Sequence, residues 1–131
     1  MRERGVELLV GCTRDPEWGW VLAVGLGGVW VEILKDVSLR LLPASESVIR
    51  EMLSELRGAK LLSGQHGIPG ADIEAVAQAA RRIGEAALGC GDDLVALEVN
   101  PLWVRGERVE ALDALFVWRD DAGRADAHPA T

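Results

Sequence analysis

Three oxygen-bearing side chains, Glu98, Asn100 and Asp113, are of the type and spacing that could hold a hard divalent cation. They come together if residues 94–102 and 109–115 are the two strands of one hairpin. Gly106-Glu107 between those runs is a two-residue connection with Gly at the first central position, as a type II′ turn prefers. In such a hairpin Arg105 faces Arg108, Val104 faces Val109 and Asn100 faces Asp113. Directly opposed Cβ atoms lie roughly 4.5–5.5 Å apart, and strand alternation puts Glu98 on the same face as Asn100. The neighbours Leu97, Val99, Ala111, Leu112 and Leu115 are apolar and predict burial of both faces of the hairpin. A buried carboxylate needs a partner, and Mg²⁺ that also binds substrate phosphates is a common one. The alternative has Asp113 at a solvated edge and Asn100 capping a turn before Pro101. Pro101 further predicts that the first strand is an edge or stops there.

The elements that must position this hairpin are legible from periodicity. Residues 6–15 form a strand-like run ending in the turn signal Asp15-Pro16, residues 20–25 a second, and residues 29–34 a third, after Gly25-Leu26-Gly27-Gly28. That glycine run is either a phosphate-cradling backbone nest or a plain turn. Glu7 alternates with Leu9 and is either solvated on an open sheet face or aimed at a ligand, solvation being the simpler reading. Lys35 to Arg40 carries charges of both signs ahead of a break at Pro43. Val48, Ile49, Met52, Leu53 and Leu56 recur at helical spacing behind Pro43-Ala44-Ser45 and stop at Gly58. Residues 61–70 read as a loop; His66 there has no paired acid and is read as a surface residue. Asp72 caps a second helix whose buried side holds Ile73, Val76, Ala77, Ala80, Ile83 and Ala87. Residues 119–131, which include His128, have almost no large apolar side chains and predict a disordered tail. The fold class is α+β: a largely antiparallel sheet with helices packed on one face, occupying residues 1–118.

Composition excludes several classes of function. The 131 residues suffice for one domain with a core. A net charge of −7 argues against nucleic-acid binding through phosphates. Cys12 and Cys90 are far apart and form neither a disulfide framework nor a zinc pattern, which points to a reduced, cytoplasmic setting. The charged start, Met1-Arg2-Glu3-Arg4-Gly5, resembles neither a signal peptide nor a membrane span.

Several stretches in register make the chain recognisable: Gly5-Val6-Glu7-Leu8-Leu9-Val10-Gly11, Asp15-Pro16, Gly25-Leu26-Gly27-Gly28-Val29-Trp30-Val31-Glu32, Lys35-Asp36-Val37-Ser38-Leu39-Arg40, Leu56-Arg57-Gly58 and Leu97-Glu98-Val99-Asn100-Pro101-Leu102. In order and spacing they resemble the ATP-grasp domain of NDP-forming acyl-CoA synthetases, relatives of succinyl-CoA synthetase and ADP-forming acetate–CoA ligase. The resemblance covers nearly all of residues 5–117 and corresponds to the second, metal-binding half of that fold. It implies ATP or ADP held between two subdomains and Mg²⁺ ligated by an Asn and an acidic residue, at the positions of Asn100 and Asp113. That is the pair the hairpin register opposes; Glu98 stands beside it. It further implies Glu7 facing the nucleotide and Arg40 as a cation facing the phosphates, with a structural ion pair between Asp36 and Arg40 as the alternative. Trp18-Gly19-Trp20 and His66-Gly67-Ile68-Pro69-Gly70 depart from the family pattern, so no family role transfers to His66.

The resemblance implies a ligase that interconverts acid, CoA and ATP with acyl-CoA, ADP and phosphate through acyl-phosphate and phosphohistidine intermediates. The first ATP-grasp subdomain with its adenine hinge, the CoA-binding domain and the phosphohistidine are absent from these residues, with Met1 falling about where the hinge should end. The expectation is therefore a half-site, inactive alone and completed by the same or another chain. The alternative is a non-catalytic remnant that binds a protein partner, or a second copy, through the sheet face left exposed.

Overall fold

The computed structural model describes residues 3–27, 36–65, 67–119 and 125–130, the last stretch as backbone only. Strands β1 (Val6–Asp15) and β2 (Gly19–Leu26) form the predicted hairpin. Its turn is closed by the Asp15 carboxylate, which accepts from the backbone N–H groups of Glu17 at 2.8 Å and Trp18 at 2.9 Å. The third strand expected over 29–34 lies outside the described residues. The charged stretch after it is itself a strand, β3 (Val37–Leu41), paired antiparallel to β2 from Val21↔Leu41 to Gly25↔Val37. Its charges are compatible with a strand because Ser38 and Arg40 alternate with Val37, Leu39 and Leu41, and both polar side chains find Glu55 on the helix side.

Helix α1 (Glu46–Ser54) begins directly after the predicted entry Pro43-Ala44-Ser45, with Ser45 as its N-cap: the hydroxyl accepts from the Val48 N–H at 3.2 Å. A 3₁₀ turn (Ala59–Ser63) and a short hairpin, β4 (Gly64–Gln65) with β5 (Ile68–Pro69), follow where glycine and proline content predicts only loop. His66 lies outside the described residues. Helix α2 (Ile73–Gly89) starts at Asp72, whose carboxylate accepts from Glu74 N–H at 3.0 Å and Ala75 N–H at 3.3 Å. The rest is strand: β6 (Leu94–Arg105), β7 (Arg108–Ala111), β8 (Ala114–Arg119) and β9 (Ala125–Ala130). β9 pairs along β8 from Ala114↔Ala130 to Arg119↔Ala125, whereas composition predicts a disordered tail. Pairing at a sheet edge requires backbone hydrogen bonds rather than large apolar side chains, so composition does not report it.

The described strands outside the β4–β5 hairpin form one antiparallel sheet in the order β3-β2-β1-β6-β8-β9, with β7 also on β6. Leu8, Val10, Leu22, Val24, Leu97 and Val99 point to one face, where Ile49, Met52 and Leu53 of α1 and Val76, Ala77 and Ala80 of α2 cover them. The expected α+β sheet with helices on one face is the observed fold. The glycines at the end of β2 serve this packing: a Cβ on Gly25 would stand 2.6 Å from the Asp36 carbonyl oxygen, and one on Gly27 3.1 Å from the backbone of Glu7 and Leu8. Close backbone approach within the sheet accounts for both.

Cys12 is buried in this core and Cys90 is partly exposed; neither is in a disulfide. Burial pushes the Cys12 thiol up to about 12. A chromogenic disulfide reagent at pH 8 is expected to titrate one thiol in the native chain, Cys90, and the second only after unfolding. Fast reaction of both in the native state would contradict the core assignment. The unfolded thiol ionises near its ordinary 9.0 while the folded one keeps its proton. This contribution to stability is therefore complete below about pH 9 and is lost as pH rises toward 12.

Candidate functional site

Among the described residues the sheet's second face carries no helix, and the three predicted donors lie there. The β6–β7 register is the predicted one, with Arg105 opposite Arg108 and Val104 opposite Val109, and Gly106 takes φ +59° in the turn. Toward the base of the hairpin both flanks of β6 become irregular at one level. On the β1 side the register passes from Leu8↔Leu102 to Val10↔Val99, so that Leu9 alone faces Asn100 and Pro101 in a bulge. On the other side β7 ends at Ala111 and β8 begins at Ala114. Across the gap the Asn100 N–H donates to the Asp113 carbonyl at 3.1 Å, and the Leu112 N–H to the Pro101 carbonyl at 3.0 Å. Glu98, Asn100, Asp113 and Leu115 line a shallow depression of about 200 Å³ at this point.

Two sequence expectations are corrected here. β6 is neither an edge strand nor cut short at Pro101, because the bulge takes the proline without loss of the flanking ladder. Nor is the hairpin buried on both faces: Glu98 and Asp113 are exposed, and Leu112 and Leu115 are 39% and 37% exposed. The case for a cation therefore rests on charge rather than on burial. Neither carboxylate has an ion pair or a side-chain hydrogen bond among the described residues. Two carboxylates and an amide on one depression form a hard-oxygen donor set of the kind Mg²⁺ takes, with water and phosphate oxygens completing its shell. Among the described residues no group of three or more His, Cys, Asp or Glu is arranged for a metal, so the amide of Asn100 is needed to reach three protein donors.

Glu7 stands on the same open face, opposite Trp103. It lines a neighbouring depression of about 420 Å³ with Glu3, Gly5, Ile68, Trp103 and Leu112. Arg40 is not brought to the site. It sits on the helix-covered side at the sheet edge, bonded to the Glu55 carboxylate and 3.7 Å from Glu51, while the Ser38 hydroxyl donates to Glu55 at 2.7 Å. Hydrogen bonds from Arg40 and Ser38 hold the Glu55 carboxyl below its usual range, so the pair's contribution is present above that range and fades as acid protonates Glu55. The ion pair of Arg40 in the structure is thus with Glu55 and not with Asp36. Asp36 instead accepts from the backbone N–H groups of Arg57 and Gly58, each at 2.7 Å.

Alternation from Glu98 would put Leu102 and Val104 on the open face. The bulge reverses parity beyond Pro101: Leu102 and Val104 join the helix-side core, and Trp103 and Arg105 take the open face. No signal other than the proline itself marks this in the sequence.

Residues 1–117 match the model of the ATP-grasp domain. The chain belongs to the ATP-grasp family. This ATP-grasp chain is 34% identical over 119 residues to acetate–CoA ligase [ADP-forming] II subunit beta of Pyrococcus furiosus, covering 89% of the chain and 50% of that subunit. It is 38% identical over 119 residues to a trans-feruloyl-CoA synthase of an unknown prokaryotic organism, of which it covers 17%. Among solved structures it superposes with a TM-score of 0.83 and 35% identity on the dinucleotide forming acetyl-coenzyme A synthetase 1 of Ca. Korarchaeum cryptofilum, in complex with coenzyme A and Mg-AMPPCP. That match covers 91% of this chain and 55% of the other. The ATP-grasp chain thus spans about half the length of the Pyrococcus subunit and of the Korarchaeum chain. No helix among its described residues is long and apolar enough to cross a membrane.

Proposed function

We propose that this chain is the ATP/ADP- and Mg²⁺-binding half of an ADP-forming acyl-CoA synthetase, which converts an acid, CoA and ATP to acyl-CoA, ADP and phosphate. The observation that carries the reading is the cluster of Glu98, Asn100 and Asp113 on an uncovered sheet face, in a chain of this family. Asn100 and Asp113, assisted by Glu98, would hold the ion, and Glu7 would face the nucleotide from the adjoining depression. The ion supplies charge neutralisation and orientation of the nucleotide's phosphates. The chain's own contribution is a rigid sheet that keeps the three donors converged and leaves the opposite side of the nucleotide to be enclosed by another part of the enzyme.

The other half of the site would come from a first ATP-grasp subdomain, and CoA handling from a further domain, in the same or another chain. Exposed apolar side chains on the open face, Leu39 at 58% and Leu41 at 51% exposure, support a covering partner. The test combines the chain with the remaining synthetase domains from its source and follows ADP release that depends on acid and CoA together. Activity is expected only from the combination. A complete assembly that binds no Mg²⁺–nucleotide, in which the chain merely self-associates, would instead identify a non-catalytic interaction module.

A further inference from the structure

Trp103 is buried to 3% exposure, yet it is not part of the helix-side core. It lies on the face of the sheet opposite the described helices, and the chain running into β1 covers it there. The indole Nε1–H donates to the Glu3 carbonyl at 3.2 Å. A Cβ on Gly5 would stand 2.7 Å from that nitrogen and 2.6 Å from the Val104 carbonyl, so only glycine lets the segment lie this close. Two arginines at the tip of the hairpin complete the hold. Arg105 Nε is 3.1 Å from the Glu3 carboxylate, and its Nη1 donates to the Arg4 carbonyl at 2.5 Å. Arg108 lies over the Trp103 ring, 5.1 Å from its centroid, and reaches Glu3 at 3.5 Å. The hairpin tip is fixed from the opposite side as well, since the Gly106 carbonyl accepts the Asp72 N–H at 2.8 Å at the start of α2.

We propose that Trp103, Arg105 and Arg108 form a clamp that locks residues 3–5 onto the same hairpin whose base carries Asn100 and Asp113, and that these are positioning residues for nucleotide binding. The proposal rests on the synthetase reading, in which the other half of the nucleotide site, in the same or another chain, adjoins the segment ahead of β1. One rigid hairpin then fixes both the metal donors and the point at which the two halves join. Nucleotide bound between the halves does not have to order that junction. The Arg105 and Arg108 contacts to Glu3 and Arg4 are surface interactions that contribute little to stability, so their effect should appear in binding rather than in folding.

The experiment uses the completed enzyme and steady-state kinetics with Mg²⁺–ATP as the varied substrate. Arg105→Gln removes the Glu3 and Arg4 contacts without touching the core, and Gly5→Ala expels the segment from Trp103. Each is expected to raise the nucleotide KM about tenfold while kcat stays within about twofold and Tm is unchanged for Arg105→Gln. Arg105→Lys, which keeps the charge beside Glu3, should recover part of the loss. An unchanged KM for both variants in an active enzyme would overturn the clamp and leave the synthetase reading intact. Absence of synthetase activity in the wild-type assembly would overturn the reading and the clamp with it.

Discussion

Asp113→Asn in the completed enzyme is expected to lower kcat at least about a hundredfold at millimolar Mg²⁺, or roughly 3 kcal/mol of transition-state stabilisation. The substitution preserves shape and one oxygen but removes an anionic donor. The donor set then keeps only Glu98 as a carboxylate, against a nucleotide whose phosphates add negative charge during transfer. Raising Mg²⁺ should return part of the lost rate, because the weakened step is occupancy of the site. Thermal unfolding should not move, since the Asp113 side chain is exposed and makes no bond to a described residue that the amide would lose. Turnover equal to wild type across the Mg²⁺ range would reject Asp113 as a ligand. This signature in kcat differs from that of the clamp, whose variants act on nucleotide KM, so the two assignments can fail separately.

Asp36→Ala is expected to have the opposite profile, with a large loss of stability and no direct contact with the site. Asp36 is 4% exposed, and its two carboxylate oxygens separately accept the N–H groups of Arg57 and Gly58. Removing it leaves two sheltered backbone donors unpaired at about 1–3 kcal/mol each, a total of roughly 2–6 kcal/mol. Asp36→Asn retains one acceptor oxygen and should lose about half as much. Urea unfolding would read this as a lower midpoint at unchanged slope. A loss below about 1 kcal/mol would mean that water replaces the carboxylate and that the pairing is incidental. The Asp36 loop matters because Gly58 packs there, with a hypothetical Cβ only 2.5 Å from Leu26 Cδ1. The stretch from Asp36 to Arg40 is held in place by contacts at both Asp36 and Arg40.

Local chemistry made much of this molecule legible. The N-caps at Ser45 and Asp72, the two helices, the β1–β2 hairpin and the opposition of Asn100 and Asp113 all follow from short-range rules, in which the interacting groups are near in sequence or tied by a two-residue turn. The family motifs added the identity of the fold, since several matched in register where any one alone would be weak. Three things depended on contacts between distant segments. Arg40 turns away from the site because Glu55, the C-cap of α1 fifteen residues on, stands on its side of the sheet; alternation within β3 fixes two faces but not which one the helices cover. The donors at Glu98 and Asp113 are open to solvent, although their neighbours are apolar, because both helices pack on the other face. Trp103 lies on the site's face only because the Asn100–Pro101 bulge shifts side-chain parity by one residue. Such a shift is set by how β1 and β6 fit across the sheet, about ninety residues apart, and no count along a single strand can register it.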